Sequence, residues 1–187
     1  VRHIPDIGRD RLHCSLLQRA HIIEHASGQS YVDYLNQVIF TPLNMRNTGY
    51  QDRSSGAAWV YGDGDTLTGE QFGPYPVPDG ADNLYSTSED LLLWDQGLYA
   101  DQLLPRAELD QMFTPFVRKS ALPGFGQGYG WFVTRLLGRP LLMGTGGGPA
   151  FTTIYFRLPE DGLTLIVLTN QGAVDYISMM MGIVPAA

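Results

Sequence analysis

The sequence predicts an α+β fold in which an antiparallel sheet packs against helices. Helical patterns on either side of an irregular region occur up to about residue 115, whereas short strand patterns follow one another between about residues 128 and 170. Segments rich in glycine and proline separate these strands, and strands joined by such short turns pair antiparallel. We expect one domain over residues 1–187, with a helical part at about 9–115, a sheet part at about 128–170 and a C-terminal helix at about 173–184.

Capping residues define the first two predicted helices. The stretch from Arg9 to Ser27 is expected to end at Gly28, because glycine readily adopts the left-handed conformation common after a helix. Ser30 is a predicted N-cap of a second helix that stops before Pro42. The buried arc of the first helix is expected to contain Leu16, Ala20, Ile22 and Ile23.

Two more helices are predicted after an irregular region at Asn44–Asn83, which contains a predicted turn at Gly62–Asp65. Ser86 and Glu89 have the spacing of a capping box, in which each side chain bonds the backbone near the other. Pro105 is expected to open a shorter helix. The buried stripe of the helix after Ser86 is expected to consist of Leu91, Trp94 and Leu98.

Four short strands are predicted in the last third of the chain. Gly144–Pro149 and Pro159–Gly162 have turn compositions and are expected to connect them. The strands are expected at Tyr129–Leu136, Pro140–Met143, Phe151–Leu158 and Leu163–Thr169.

Composition narrows the class of protein. Hydrophobic residues make up 44% and charged residues 17% of the 187 residues, which is a globular composition. The formal net charge of −7 is scattered along the chain and predicts neither a nucleic acid nor an anionic membrane as partner. Cys14 is the single cysteine, so no internal disulfide forms, and no apolar run has the length of a membrane span. Val1–Asp6 contains no apolar segment of a signal peptide.

Five segments in order carry a resemblance. They are Ile22–Tyr31, Ile39–Thr48, Asn83–Leu91, Tyr129–Trp131, and Leu158–Gly162 leading to Val167–Asn170. In this order they resemble segments of the serine β-lactamase-like hydrolases, a superfamily of class C β-lactamases, penicillin-binding proteins and esterases. Asn44 stands where the family has glycine in its "PLGM" segment.

The resemblance implies a β-lactamase/transpeptidase-like fold, present here in part, with an active site between a helical subdomain and the antiparallel sheet. It also implies an acyl-enzyme mechanism. A serine in Ser-x-x-Lys attacks a carbonyl, the lysine and a Tyr-x-Asn tyrosine move the proton, and a Lys/His-x-Gly strand helps to hold the oxyanion. The implied partner is a small-molecule or peptide substrate, namely a β-lactam, a D-amino-acid peptide or an ester. No cofactor and no metal are expected.

The nucleophile motif is missing from these residues. Lys119 is the one lysine, and three residues before it stands Phe116, so no Ser-x-x-Lys occurs. Val1-Arg2-His3 resembles a family segment that follows the nucleophile. We therefore expect a truncated domain without the inherited activity, and a non-catalytic pseudo-hydrolase or truncated gene product is the competing interpretation.

The Tyr-x-Asn motif is also altered. Tyr34-Leu35-Asn36 matches it, but lies inside the helix that follows the motif in relatives. Where the family places the Tyr-x-Asn motif, this chain has Arg11-Leu12-His13 or, with a gap, His13-Cys14-Ser15. Histidine can accept a proton, so His13 and Ser15 are the candidate catalytic residues.

The third motif survives as glycines. Met143–Phe151 aligns with "GH-x-GG-x-PGF" of the family, which leaves Gly144 or Thr145 where Lys or His belongs. Glycine permits a close approach of backbone to ligand, and the Gly147 N–H is a candidate oxyanion donor. A glycine-rich hairpin turn without a ligand is the alternative. The candidate substrate-binding residues are Gly144, Thr145, Gly146 and Gly147.

A zinc peptidase is a distant alternative. His21, Glu24 and His25 fit the His-x-x-Glu-His pattern, in which two histidines bind zinc and the glutamate is the general base. Both histidines are expected opposite the apolar arc of their helix, which favours a solvated face.

The sheet predicts a further kind of partner. In the family, N-terminal strands complete the sheet, and without them Leu163–Thr169 or Phe151–Leu158 is expected to have an unpaired edge. Such an apolar edge pairs readily with another chain, so we expect a homo-oligomer formed through the sheet edge, aggregation, or a marginally folded chain.

Overall fold

The computed structural model describes residues 11–50, 84–118, 124–148, 151–171 and 174–183. Two compact units are present. The first contains the described residues 11–50 and 84–94, and the second contains those from 95 onwards. The turn predicted at Gly62–Asp65 lies outside the described residues, and the prediction of one domain over the whole chain stays a prediction.

The first unit begins with two helices, and the predicted end of the first at Gly28 and the predicted N-cap of the second at Ser30 are confirmed. The predicted start at Arg9 lies outside the described residues. Helix α1 spans Arg11–Ser27, and Gly28 follows it with a left-handed φ of 72°. Helix α2 spans Tyr31–Leu35 and is capped by Ser30, whose Oγ accepts a hydrogen bond from the Asp33 N–H at 3.1 Å. The helix continues as one π-helical segment, Asn36–Phe40.

Of the residues predicted to form the buried arc of α1, one is buried and another is exposed. Ala20 is buried, whereas Ile22 is 65% exposed, so its predicted burial is wrong. Other buried apolar residues in the described part of this unit are Tyr31, Leu35, Phe40, Leu43 and Met45.

The backbone conformation of Asn44 explains why asparagine can replace the family's glycine at this position. Its φ is 58°, in the left-handed region where glycine is unstrained and asparagine is the best tolerated side chain. The backbone shape that glycine would allow is therefore kept. Strands β1 (Gly49–Tyr50) and β2 (Leu84–Tyr85) pair antiparallel in the same unit.

Helix α3 spans Ser88–Tyr99, and the boundary between the two units falls within it. Its cap differs from the predicted one, because the side chain of Thr87 accepts the Asp90 N–H at 3.2 Å. The Ser86 hydroxyl instead bonds that of Thr48 at 2.7 Å. The capping box proposed for Ser86 and Glu89 is wrong by one position, since Thr87 has the same chemistry one residue nearer the helix.

The second unit contains a six-stranded antiparallel sheet whose spatial order is the chain order. This arrangement confirms the predicted α+β class. Helix α4 (Arg106–Met112) starts directly after Pro105, as expected, and helix α5 spans Tyr176–Ile183. The strands are β3 (Val117–Arg118), β4 (Gly126–Gln127), β5 (Phe132–Leu136), β6 (Arg139–Gly148), β7 (Phe151–Leu158) and β8 (Leu163–Thr169).

Two strand predictions are wrong. Strand β6 continues through Gly144–Gly148, which the composition assigned to a turn. Strand β7 pairs with β6 on one side and β8 on the other, so Phe151–Leu158 does not form an edge. Both differences have one cause, because the glycines of β6 pair with the first half of β7.

The register gives the sheet two distinct faces. Residues opposite each other on paired strands share a face. The apolar face carries the buried cluster Leu141, Ile154, Phe156 and Leu158, against which Tyr176 of α5 packs. The other face carries Gly144, Tyr155, Arg157 and Thr164, and we call it the network face.

None of the helices in the described part of the chain combines the length and apolar character needed to cross a membrane.

Candidate functional site

The two candidate catalytic residues, His13 and Ser15, lie near the start of helix α1. Their side chains lie outside the described part of the structure. Their assignment stays a prediction.

The candidate substrate-binding residues form a strand that is paired on one side. Strand β5 pairs with β6 only as far as the Phe132–Met143 pair. Beyond it, Gly144–Gly148 pair with β7 through five successive residue pairs. Among the described strands, none covers the other edge of this segment. We call Gly144–Gly148 the glycine segment.

The direction of the backbone groups in the glycine segment follows from one hydrogen bond. The Thr153 hydroxyl donates to the Gly146 carbonyl oxygen at 3.2 Å, so this carbonyl faces β7. Backbone groups of successive residues point to opposite edges of a strand. The N–H and C=O groups of Thr145 and Gly147 therefore face the edge that β5 leaves open.

Gly144 and Thr145 lie on opposite faces of the sheet. Gly144 pairs with Tyr155 and belongs to the network face, whereas Thr145 pairs with Ile154 on the apolar face. A Cβ on Gly144 would lie 3.8 Å from the Tyr155 Cβ and 4.0 Å from Trp131 Cζ3, which are ordinary contacts. The network face therefore has room for a Cβ atom at position 144.

Gly146 has less space. A Cβ there would lie 2.7 Å from the Thr153 Oγ1, a distance that real Cβ atoms do not adopt. Glycine at this position lets the Thr153 side chain cross to the Gly146 carbonyl. The glycines of the segment are thus not equivalent.

A buried polar network lies on the network face. Asp95 of α3 is 3% exposed and accepts hydrogen bonds from the Tyr155 hydroxyl and from Arg157 Nη1. The Thr164 hydroxyl also bonds the Asp95 carboxylate, at 3.1 Å, and accepts from Arg157 Nη1 at 2.6 Å. The Arg157 guanidinium carbon lies 3.6 Å from the centroid of the Tyr99 ring. These contacts attach the last turns of α3 to β7 and β8.

Burial changes the acidity of both tyrosines in the network. It raises the pKa of Tyr99 to about 12, since the phenolate would lose its hydration. Burial, together with the hydrogen bond to Asp95, raises the pKa of Tyr155 above its ordinary value. Both rings are therefore neutral near pH 7, and Tyr155 is a hydrogen-bond donor.

A family model described as Beta-lactamase matches residues 19–178 of this chain. The chain belongs to the β-lactamase family. It is a β-lactamase-like serine hydrolase family member with a β-lactamase/transpeptidase-like fold.

Relatives of this β-lactamase family member include Penicillin-binding protein 4* of Bacillus subtilis (strain 168), 28% identical over 170 residues. The match covers 80% of this chain and 37% of that protein, so the chain spans less than half of the relative's length.

Two solved structures have the same fold. The D-amino acid amidase from Ochrobactrum anthropi SV3 aligns with a TM-score of 0.75 and 24% identity, over 100% of this chain and 61% of that one. The octameric penicillin-binding protein homologue from Pyrococcus abyssi aligns with a TM-score of 0.74 and 23% identity, over 87% and 40%.

Tyr34-Leu35-Asn36 lies across the junction of α2 and the π-helical segment. Asn36 is exposed and Tyr34 is half-buried. The motif-like spacing therefore falls in a helix interior, as expected from its position after Gly28.

The residues of the zinc alternative have other contacts. Glu24 Oε1 accepts the Tyr31 N–H at 3.0 Å, which ties the end of α1 to α2. His21 is exposed, and its Nδ1 lies 3.5 Å from Glu24 Oε2. Within the described residues, no three metal-binding side chains are clustered.

Sequence reasoning missed Asp95. One signal was available, because Asp95 is placed between Leu91 and Leu98 at helical spacing and therefore shares the face of the predicted buried stripe. An acidic residue on such a face requires partners. Those partners, Tyr155, Arg157 and Thr164, are 60 or more residues away in the chain, so no local pattern identifies them.

Proposed function

We propose that these 187 residues bind the acyl–amide backbone of a β-lactam or D-amino-acid substrate along the glycine segment, without forming an acyl-enzyme on their own. The single observation that carries this proposal is the open edge of β6, where Thr145 and Gly147 present backbone groups.

The open edge supports binding of an extended substrate. A peptide-like ligand that adds to a strand edge receives its hydrogen bonds from alternate residues of that strand. The Thr145 and Gly147 groups have this spacing. The Gly147 N–H is then the candidate donor to the substrate carbonyl, in the role of an oxyanion donor.

Two sequence features support the absence of covalent chemistry. These residues contain no Ser-x-x-Lys, so a serine activated by lysine is not supplied. Neither Gly144 nor Thr145 has the cationic side chain that relatives carry at this strand. Gly147 can still orient a carbonyl, whereas His13 and Ser15 remain the proposed candidates for any residual chemistry.

The names of relatives support the substrate class. One solved relative is a D-amino acid amidase and the curated relative is a penicillin-binding protein. Both names concern D-amino-acid amides or penicillin. We therefore propose a small molecule or short peptide with a D-configured residue as ligand, and an octameric homologue supports self-association as a further property.

The test is an NMR titration of the 15N-labelled chain with D-alanyl-D-alanine, with L-alanyl-L-alanine as the matched ligand. We expect the amide signals of Thr145 and Gly147 to shift with the D,D-peptide, and to shift less with the L,L-peptide. Both ligands have the same charge and composition, so the difference reports recognition of configuration.

A pair of variants tests the role of the Gly147 N–H. Gly147→Pro removes this donor, whereas Gly147→Ala keeps it and adds a Cβ 3.3 Å from the Phe151 carbonyl oxygen. A hydrogen bond contributes about 1 kcal/mol, so we expect Gly147→Pro to bind about fivefold to tenfold more weakly than Gly147→Ala. Equal affinities of the two folded variants, or shifts confined to other residues, would refute the proposal.

A further inference from the structure

The turn that leads into strand β5 is held tightly against the end of helix α4. The Gly128 N–H donates to the Trp131 carbonyl oxygen at 2.9 Å and closes this turn. The Tyr129 N–H donates to the carbonyl oxygen of Met112, the last residue of α4, also at 2.9 Å. A Cβ atom on Gly128 would lie 2.3 Å from the same oxygen, so glycine is required for this close approach. The backbone of Tyr129 is therefore fixed by its neighbours.

The side chain of Tyr129 is 62% exposed although its backbone is fixed. Its ring lies against that of Phe116, which is 56% exposed, with the ring centroids 4.9 Å apart. Trp131, in the same turn, is buried and packs its ring against those of Phe113 and Tyr155. The turn thus places one aromatic ring in the core and another at the surface. Tyrosine rings held in this way are frequent at binding sites, because they offer a large contact area.

This turn lies at the end of the open edge of the glycine segment. Strand β5 occupies that edge of β6 as far as the Phe132–Met143 pair, and the turn comes directly before Phe132. Trp131 Cζ3 lies 4.0 Å from the position of a Cβ atom on Gly144. A ligand strand on the glycine segment therefore continues the line of β5, and its end nearest Gly144 meets the turn.

The direction of β5 indicates which end of the ligand this is. Strand β5 runs antiparallel to β6, and it begins beside Met143 and ends beside Arg139. A ligand that runs in the same direction as β5 has its C-terminal residue at the Gly144 end of the segment. The side chain of that residue is then next to the turn in which Tyr129 is the exposed ring.

We infer that Tyr129, supported by Phe116, is a specificity-determining residue that favours an aromatic side chain on the C-terminal residue of a ligand bound along the glycine segment. This preference rests on the proposed function and adds to it a direction of binding. A favourable contact between two aromatic rings strengthens association about threefold to tenfold beyond the effect of area burial. The ligand class is therefore a short D-configured peptide with an aromatic C-terminal residue.

Two isomeric dipeptides, D-alanyl-D-phenylalanine and D-phenylalanyl-D-alanine, test this preference. They have the same composition and charge, and differ only in which residue has the ring. In NMR titrations of the 15N-labelled 187-residue chain, we expect D-alanyl-D-phenylalanine to bind about threefold to tenfold more tightly. Tyr129→Ala should abolish this difference, whereas Tyr129→Phe keeps the ring and should retain it. Leu137→Ala is the matched control, because Leu137 is 63% exposed in the turn at the other end of β5.

The amide signals of the glycine segment separate this preference from the proposed function. Equal affinity of the two isomers, or tighter binding of D-phenylalanyl-D-alanine, would overturn the role of Tyr129 even where the Thr145 and Gly147 signals shift. An unchanged preference in folded Tyr129→Ala would overturn it too. Phe116→Ala is the second variant, and it should reduce the difference between the isomers. If neither isomer shifts the Thr145 and Gly147 signals, the proposed function and the role of Tyr129 are both refuted.

Discussion

The two halves of β6 differ in their pairing and in their side chains. Arg139–Met143 pair with β5, and the last two of them, Leu142 and Met143, also pair with β7. This half carries the buried residues Leu141 and Leu142. Among the described strands, the glycine segment, Gly144–Gly148, pairs with β7 alone, and it has one side chain larger than hydrogen, that of Thr145. One half therefore holds the sheet together, while the other leaves a backbone edge open to a ligand.

Strand β7 supports the glycine segment of β6, and β7 is itself held by the Asp95 network. Tyr155 lies opposite Gly144, and its hydroxyl is held by the buried Asp95 of α3. The hydrogen bonds that Asp95 accepts from Tyr155 and Arg157 hold β7 beside α3. The glycine segment is thus supported by β7, which is fixed in turn by its contact with Asp95 of α3.

The largest expected effect is a loss of stability on substitution in the first half of β6, Arg139–Met143. Leu141→Ala removes a side chain that is 2% exposed in the apolar cluster, and should lower the free energy of unfolding by about 2–5 kcal/mol. Leu137 is the control, because it is exposed in the turn before β6, and Leu137→Ala should change stability by about 0.5 kcal/mol or less. Urea denaturation followed by tryptophan fluorescence measures both. Equal losses for the two leucines would remove the distinction between the halves.

A smaller effect is expected within the glycine segment. Gly146→Ala brings a Cβ into the space of Thr153 Oγ1 and should cost about 1–2 kcal/mol, whereas Gly144→Ala meets only ordinary contacts and should be nearly neutral. The double variant Gly146→Ala/Thr153→Ala removes the collision. It should therefore be more stable than the sum of the two single changes predicts, in a double-mutant cycle by the same denaturation. Additive changes would mean that the close contact has no energetic consequence.

Periodicity and turn composition predicted the strands that carry large side chains. Phe151–Leu158 and Leu163–Thr169 have their predicted bounds, because long apolar runs flank the turn Pro159–Gly162. The glycine segment was assigned to a turn, since glycine has a low strand propensity and lacks a side-chain pattern. Its strand conformation depends on pairing with β7, and a single chain pattern does not contain that information.

The same limit applies to the candidate site. The family segments predict Gly144–Gly147 as substrate-binding residues, and this stays a prediction. The outward direction of the Gly147 backbone groups follows from the strand register and from the Thr153–Gly146 hydrogen bond. The Asp95 network joins residues far apart in the chain, and it could be suspected only from an acidic residue on an apolar helix face. The sequence therefore indicates which residue types could act, whereas the contacts they make across the sheet become known only from the strand register.

Covalent labelling by a fluorescent penicillin tests the central claim most directly, because a covalent adduct requires a working nucleophile. The 187-residue chain is incubated with the label beside Penicillin-binding protein 4* of Bacillus subtilis, and the intact masses are measured. We expect no adduct on this chain, while D-alanyl-D-alanine still shifts the Gly147 amide signal. Stoichiometric labelling of the folded chain, mapped to Ser15 and lost in Ser15→Ala, would contradict it.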